Sequence, residues 1–173
     1  MSALDGLAPA PDLIRPLIGF RQWRLARDGG LRSLVYDEPW PSATMTARCR
    51  VAAHEEAPVE DCTCGVYAWY RPCPLTSSCA TRDLVAGAVV VWGAVELHAT
   101  GMRAQCCRVV ALALPLSRGR KRRRVCAAAE RLGVPVVPHR ALPWIANAHG
   151  GPVPDALKPE WDRSLGRGLS AAS

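Results

Sequence analysis

The chain has 173 residues, enough for one domain with a hydrophobic core, and 49% of them are hydrophobic, which excludes a disordered polypeptide. Its formal net charge is +7, but six positive charges lie between residues 118 and 124, so the remainder is nearly neutral. The basic character is therefore one local feature and excludes a uniformly basic surface.

Neither an export signal nor a membrane-spanning segment is visible in the sequence. Pro9, Pro11 and Pro16 interrupt the apolar residues near the N-terminus, which also lacks a basic segment. The apolar stretches 84–95 and 109–116 are too short for a spanning helix and fit buried strands. We therefore expect a cytoplasmic protein, in which the eight cysteines are metal ligands, catalytic groups or buried apolar residues rather than structural disulfides.

The first half of the chain predicts strands. Residues 1–17 are rich in proline and are expected to form a flexible leader. A β-hairpin follows, in which GFRQWRL and LRSLVY flank Asp28-Gly29-Gly30, residues that accept the positive φ angles of a tight reversal. Further strands are predicted at 44–51 and 66–70, and the Pro- and Ser-rich residues 71–82 predict an exposed loop.

The most regular strand pattern lies in the middle of the chain. Residues 85–98 and 102–114 are both rich in β-forming side chains and are joined by Ala99-Thr100-Gly101. In the first of them, apolar side chains alternate with Trp92, Glu96 and His98. This pattern predicts a long hairpin with one side in the core.

The pattern becomes helical after Pro115. Ser117 is a candidate cap for a helix over about 119–132, which Gly133 would terminate. A short strand at 134–137 and a short helix at 140–148 are predicted to follow.

These elements predict an α+β fold. We expect an antiparallel sheet or a small, partly open barrel over about residues 19–115, followed by C-terminal helices. A single domain would then cover residues 18–149, and residues 150–173, rich in Gly, Pro and Ser, would form a loose tail.

Four candidate metal ligands, Cys49, His54, Cys62 and Cys64, have the spacing C-x4-H-x7-C-x-C. Zinc prefers four tetrahedral N and S ligands, and three cysteines with one histidine form a standard structural set. The residues between the ligands have little apolar content, so a metal ion would replace a missing core. Because all four ligands lie in one loop, which Gly65 ends with a turn, we expect a structural zinc without an open position for water.

Two alternatives to zinc remain open for these residues. The same ligands could hold an iron–sulfur cluster. If no ion binds, Cys49 would be a buried strand residue, His54 an exposed loop histidine, and Cys62 and Cys64 free thiols. In the next loop, Cys73 and Cys79 could form a redox disulfide, replace the histidine as ligands, or have no function.

Two strings in the sequence carry a resemblance to known proteins. HEEAPVEDCTCGVYAW at 54–69 and VVWGAVELHATGMRAQ at 90–105 resemble a group of uncharacterised actinobacterial proteins. These proteins share a Cys-x-Cys-Gly-[Ile/Val/Leu]-Tyr-Ala turn and a Trp-Gly-x-Val hairpin. The likeness covers roughly residues 19–137 and implies no activity. Relative to that group, four cysteines of this chain are additions: Cys73, Cys79, Cys106 and Cys107.

A basic run opens the predicted helix and comprises Arg118, Arg120, Lys121, Arg122, Arg123 and Arg124. The dipole at a helix N-terminus is already positive, so stacked positive charges there are unfavourable unless an anion binds. Nucleic-acid phosphates could supply that anion through sequence-independent contacts. The alternative is a solvated arginine-rich face, and no recognised nucleic-acid-binding motif is present.

One group of residues suggests acid–base chemistry. Glu96 and His98 share a strand face, and Arg103 lies just across the turn. The alternative is a polar contact at the end of a hairpin, and no common catalytic motif occurs in the chain. We therefore expect a non-enzymatic, zinc-stabilised binding domain for a macromolecular partner that the sequence does not identify. A nucleic-acid-associated regulator and a small enzyme are the alternatives.

Overall fold

The computed structural model describes residues 15–52, 54–73, 83–116 and 119–160. The strands in chain order are β1 (Leu17–Leu25), β2 (Leu31–Arg32), β3 (Pro39–Trp40), β4 (Thr44–Thr46), β5 (Val66–Trp69), β6 (Leu84–Leu97), β7 (Gly101–Ala113) and β8 (Val136–Val137). The helices are α1 (Arg120–Leu132) and α2 (Leu142–Asn147), with short 3-10 turns at His139–Ala141 and Asp155–Leu157. The predicted α+β class is confirmed.

Some sequence predictions fall outside the described residues. They concern the leader up to residue 14, the end of the C-terminal segment from residue 161, residues 74–82 of the predicted exposed loop, among them Cys79, and two single positions: Ser117 and Arg118. The N-terminal cap of α1 is Gly119, which makes no side-chain capping hydrogen bond. Gly133 ends the helix in the left-handed conformation, as the sequence predicts.

The long hairpin of β6 and β7 forms the centre of the sheet. Its antiparallel pairing runs from Gly87 opposite Leu112 to Leu97 opposite Met102. On the other side of β6, β1 pairs antiparallel over eight residue pairs. The predicted hairpin is therefore confirmed. β1 in turn pairs antiparallel with β2, and β2 with β3.

The remaining strands attach mainly to β7. Strands β4 and β5 pair antiparallel with it, and β8 pairs parallel near its C-terminal end. β5 pairs with β1 at one residue pair, Phe20 opposite Trp69. With so little pairing the sheet is not a clear barrel, so of the two predicted forms the structure shows the sheet.

Both faces of the central strands are buried. On one face Trp23, Val89 and Leu112 pack with Val125 of α1. On the other face lies a second apolar cluster, with residues from β1, β6 and β7 against α2: Ile18, Phe20, Ala86, Ala88, Val90, Val110, Ala111, Ala113, Leu142 and Ala146. This two-sided burial covers the first half of β6, up to Val91, and the end of β7 from Val109, and both stretches are continuously apolar.

Two predicted strands are shorter than expected. β2 ends at Arg32, because the chain turns at residues 34–36 and Asp37 has a positive φ of 50°. β4 ends at Thr46 rather than near residue 51, and the backbone N–H of Ala47 makes a hydrogen bond to the Gln105 carbonyl. The chain then leaves the sheet and enters the loop of the candidate metal ligands.

The first part of the C-terminal segment packs against β1. Val153 is buried in the core, the N–H of Ile18 donates to the Gly151 carbonyl at 2.8 Å, and the N–H of Gly151 donates to the Pro16 carbonyl at 2.9 Å. Residues 151–153 therefore pack against β1 and the core. Within the described part of the chain, no helix has the length and apolar character needed to cross a bilayer.

Candidate metal centre

The four predicted ligands meet in the loop between β4 and β5. The ligand atoms of Cys49, His54, Cys62 and Cys64 all lie within 4.8 Å of one another. The sulfurs of Cys49 and Cys62 are 3.7 Å apart. Two sulfurs bound to one tetrahedral zinc ion at about 2.3 Å each lie about 3.8 Å apart, so this separation suits a shared ion. The arrangement is close enough for the four residues to bind one metal ion.

Short-range contacts place these ligands. The N–H of Ala52 donates to the Cys49 sulfur at 3.3 Å, which folds the chain back just after β4. The N–H of Cys62 donates to the carbonyls of Val59 and Glu60 at 3.0 and 2.7 Å, which makes a tight turn before Cys64. These turns bring the two ends of the loop together.

The imidazole of His54 has one buried nitrogen, Nδ1, that no hydrogen bond from the described residues satisfies. A buried polar atom without a partner is unfavourable, because it has lost its hydrogen bonds to water. The same imidazole supplies the nitrogen ligand that lies within 4.8 Å of the three sulfurs. The donor set and this unpaired atom both fit a metal site.

The pKa values of two cysteines in the site shift in opposite directions. The pKa of Cys49 falls from its ordinary value of 9.0 to about 6, chiefly because the backbone of Ala52, and then that of His54, donates to the sulfur. Burial raises the pKa of Cys64. The thiolate is the form that binds metal. Cys49 is therefore already a thiolate at neutral pH, whereas a metal ion must displace a proton from Cys64.

A buried arginine from β7 contacts the same loop. The side chain of Arg103 is only 5% exposed and donates to the carbonyl oxygens of Cys62 and, at 3.0 Å, of Cys64. It also makes an ion pair with Glu96, whose other carboxylate oxygen lies 3.2 Å from His98 Nε2. The structure thus brings together Glu96, His98 and Arg103, the residues of the predicted acid–base group. The guanidinium nevertheless contacts the cysteine loop, a connection that the sequence analysis missed.

The other described cysteines lie outside the cluster, and all seven that the structure describes are free thiols. Cys107 is fully buried in the core, and burial raises its pKa to about 12. Cys106 is half-buried and lies 3.9 Å from the Thr46 hydroxyl. The carbonyl of Cys73 is hydrogen-bonded to His139, and the cluster contains His54 rather than Cys73.

The basic run divides into two groups in the structure. Arg124 donates to the carbonyls of Leu25 and Ala26 at 2.6 and 2.7 Å and forms an ion pair with Asp83 at 3.1 Å. Its guanidinium therefore joins α1 to the end of β1 and to Asp83, and the predicted contact of this residue with an external anion stays a prediction. Lys121 is half-buried, and Arg118 lies outside the described residues.

Arg120, Arg122 and Arg123 are exposed on the first turn of α1. That turn contains no acidic residue, and its cap provides no side-chain acceptor. Among the described residues, no carboxylate forms an ion pair with these three arginines. Their charge is therefore exposed at a helix end where positive charge is unfavourable.

No protein-family model, curated protein or solved structure matches this chain. The resemblance to the actinobacterial group therefore stays a prediction.

Proposed function

We propose that this protein is a non-enzymatic binding domain in which Cys49, His54, Cys62 and Cys64 hold one structural zinc ion. The proposal depends on one observation: one ligand atom from each of four residues, three sulfurs and an imidazole nitrogen, lies within 4.8 Å of the others. Three thiolates and an imidazole fill a tetrahedral zinc shell and leave no position for substrate or water. That closed shell favours a structural ion over a catalytic one.

Zinc fits these residues better than an iron–sulfur cluster. Such clusters are most often held by four cysteine thiolates, whereas three cysteines with one histidine are a standard set for zinc. The seven described cysteines are free thiols, which agrees with a reducing compartment, and we place the protein in the cytoplasm on that basis.

The role of the ion would be to fix a loop that has few apolar contacts of its own. Among the described residues between Arg48 and Glu60, the side chains are exposed or half-buried except that of Ala57. A bound ion would join the start and the end of this loop and give it one defined surface. We infer that a macromolecular partner recognises the surface that this loop and the adjoining strands form.

Elemental analysis of protein purified without added metal tests this proposal. We expect one zinc per chain, and we expect loss of the ion in the Cys62→Ser and Cys64→Ser variants. Cys126→Ser is the matched control, since Cys126 is a half-buried cysteine of α1 outside the cluster. Iron with acid-labile sulfide would indicate a cluster instead. Wild-type protein that contains no metal and takes up no added zinc would rule out the site.

A second function is favoured by the exposed arginines of α1. We propose that Arg120, Arg122 and Arg123 contact nucleic-acid phosphates in a nucleic-acid-associated regulator. The support is their exposure beside a helix N-terminus, where backbone N–H groups also favour an anion. Arg124 is left out of this proposal because its guanidinium contacts the sheet.

The dependence of duplex DNA binding on salt tests this second function. Three phosphate contacts predict a slope of log affinity against log salt of about −3, which changing all three arginines to Gln would remove. The matched control changes Arg24, Arg32 and Arg50 to Gln, because it removes the same charge from arginines that are paired with carboxylates. No binding at low salt, or equal loss in both triple variants, would contradict the proposal.

A further inference from the structure

Three successive carbonyl groups of the Cys-x-Cys turn are held by side chains of the neighbouring strands. Arg103 of β7 donates to the carbonyls of Cys62 and Cys64, and the Tyr67 hydroxyl of β5 donates to the carbonyl of Thr63 at 3.0 Å. The hydrogen bonds therefore fix the backbone on both sides of the two cysteines. Such control matters here, because one intervening residue leaves a cysteine pair little freedom to direct both sulfurs at one ion.

Arg103 is unusual within the described residues, where it and Gln22 are the only buried polar or charged side chains. Burial of a guanidinium is unfavourable unless its donors are satisfied. One terminal nitrogen of Arg103 donates to both cysteine carbonyls, and the other contacts the Glu96 carboxylate. Its Nε has no hydrogen-bond partner among the described residues, so the two terminal nitrogens make all of its hydrogen bonds to them. The planar guanidinium can make these bonds together, whereas a lysine ammonium has no such fixed geometry.

The local packing lets the arginine approach the turn. Gly65 follows the second cysteine with a φ of +121°, and a Cβ atom there would lie 3.1 Å from the Cβ of Arg103. A side chain at residue 65 would therefore press on the stem of the arginine. The glycine and the buried arginine are two parts of one arrangement.

We propose that Arg103, held by Glu96, is the positioning residue of the metal centre and sets its affinity without binding the ion. This inference rests on the proposed zinc site. Neighbours of this kind orient metal ligands, and their loss commonly weakens metal binding. The positive guanidinium also partly offsets the net negative charge of three thiolates, one imidazole and a divalent ion.

Zinc affinity, measured by competition with a chromophoric chelator, tests the inference. We expect Arg103→Gln to weaken zinc binding by about 10- to 100-fold. Arg124→Gln is the matched control, because Arg124 also donates to two backbone carbonyls and pairs with one carboxylate, but at α1. It should lower the melting temperature and leave zinc affinity unchanged. Arg103→Lys should recover only part of the affinity, since it restores the charge but not the planar geometry.

A second variant keeps the test decisive if Arg103→Gln does not fold. Glu96→Gln leaves the arginine in place but removes its charged partner, and we expect it to weaken zinc binding to a smaller extent. If the wild type binds zinc and Arg103→Gln binds it with the same affinity, the positioning role is overturned and the zinc site stands. If Arg103→Gln is unfolded, the same conclusion follows from full zinc affinity in Glu96→Gln. A wild-type chain that binds no zinc would overturn both proposals.

Discussion

At the scale of single residues, thiols of one type acquire different chemistry from their surroundings. Backbone N–H groups lower the pKa of Cys49 to about 6, whereas complete burial raises the pKa of Cys107 to about 12. The spacing of Cys49 to the other cysteines in the sequence predicts that it is a metal ligand. The spacing does not predict the pKa of either thiol, because the pKa depends on the hydrogen-bond donors near the sulfur and on its exposure to solvent.

The first prediction concerns the reactivity of Cys49. In metal-free protein we expect iodoacetamide to modify Cys49 first, with a rate that rises through a midpoint near pH 6, because the thiolate is the nucleophile. Cys107 should remain unmodified in the folded protein, since it is fully buried. Peptide mapping by mass spectrometry measures both rates, and added zinc should protect Cys49. An ordinary thiol midpoint, well above pH 8, would contradict the assignment.

The same pKa predicts how the stability of metal-free protein depends on pH. Because the pKa of Cys49 is about 6 in the folded state, against an ordinary value of 9.0, the thiolate favours folding. The contribution of the Cys49 thiolate to the free energy of unfolding is complete above pH 9, decreases as the pH falls, and is absent below about pH 6. Urea unfolding of wild type and Cys49→Ser in the presence of chelator should therefore diverge between these pH values. Parallel curves would be the contrary result.

At the scale of elements, the loop between β4 and β5 departs most from what local pattern predicts. Its first residues continue an apparent strand pattern to residue 51, yet β4 ends at Thr46. Beyond Thr46 the chain leaves the sheet, and it turns at residues 49–52, where the Cys49 sulfur accepts the N–H of Ala52. In contrast, β6, β7 and α1 follow their patterns closely, since long periodic segments have many side chains that favour the same structure.

The second element-scale feature is the turn at Gly65, and it yields a prediction. Gly65→Ala should destabilise the protein by about 1–3 kcal/mol, because its positive φ is unfavourable for a residue with a Cβ. It should also weaken zinc binding, since the new Cβ would lie 3.1 Å from the Cβ of Arg103. Urea unfolding and chelator competition measure the two effects.

Gly133→Ala is the control for this prediction. Gly133 also has a positive φ, of 65°, but a Cβ there would meet no atom within 4 Å. It should cost about 1–2 kcal/mol of stability with no change in zinc affinity. Equal zinc affinity in the two alanine variants would show that the Cys-x-Cys turn tolerates displacement of its backbone.

At the scale of the whole molecule, the hydrophobic core and the metal loop are distinct. The largest fully buried side chains belong to the strands and helices, among them Trp23, Leu112 and Leu142. Both core clusters are built on β1, β6 and β7, with α1 and α2 on opposite faces. The burial of these apolar side chains therefore stabilises the fold independently of the metal ligands.

This separation predicts the effect of removing zinc. We expect chelator to lower the stability to urea, since free zinc at a thousand times its Kd stabilises by about 4 kcal/mol. The sheet signal in circular dichroism should persist, and amide exchange should speed up in residues 47–65 but not in β6 or β7. Loss of the whole sheet signal on chelation would show instead that the ion is required for the complete fold.

The sequence by itself determined the α+β class, the central hairpin, the helix that ends at Gly133, and the identity of the four candidate ligands. These features depend on local periodicity and spacing, which the order of residues contains directly. Only the tertiary structure decided that both faces of the hairpin are buried around Val85–Val91 and Val109–Ala113, that Arg124 contacts the sheet, and that Arg103 contacts the cysteine turn. These outcomes depend on contacts between residues some 40 to 100 positions apart, and no local pattern specifies them.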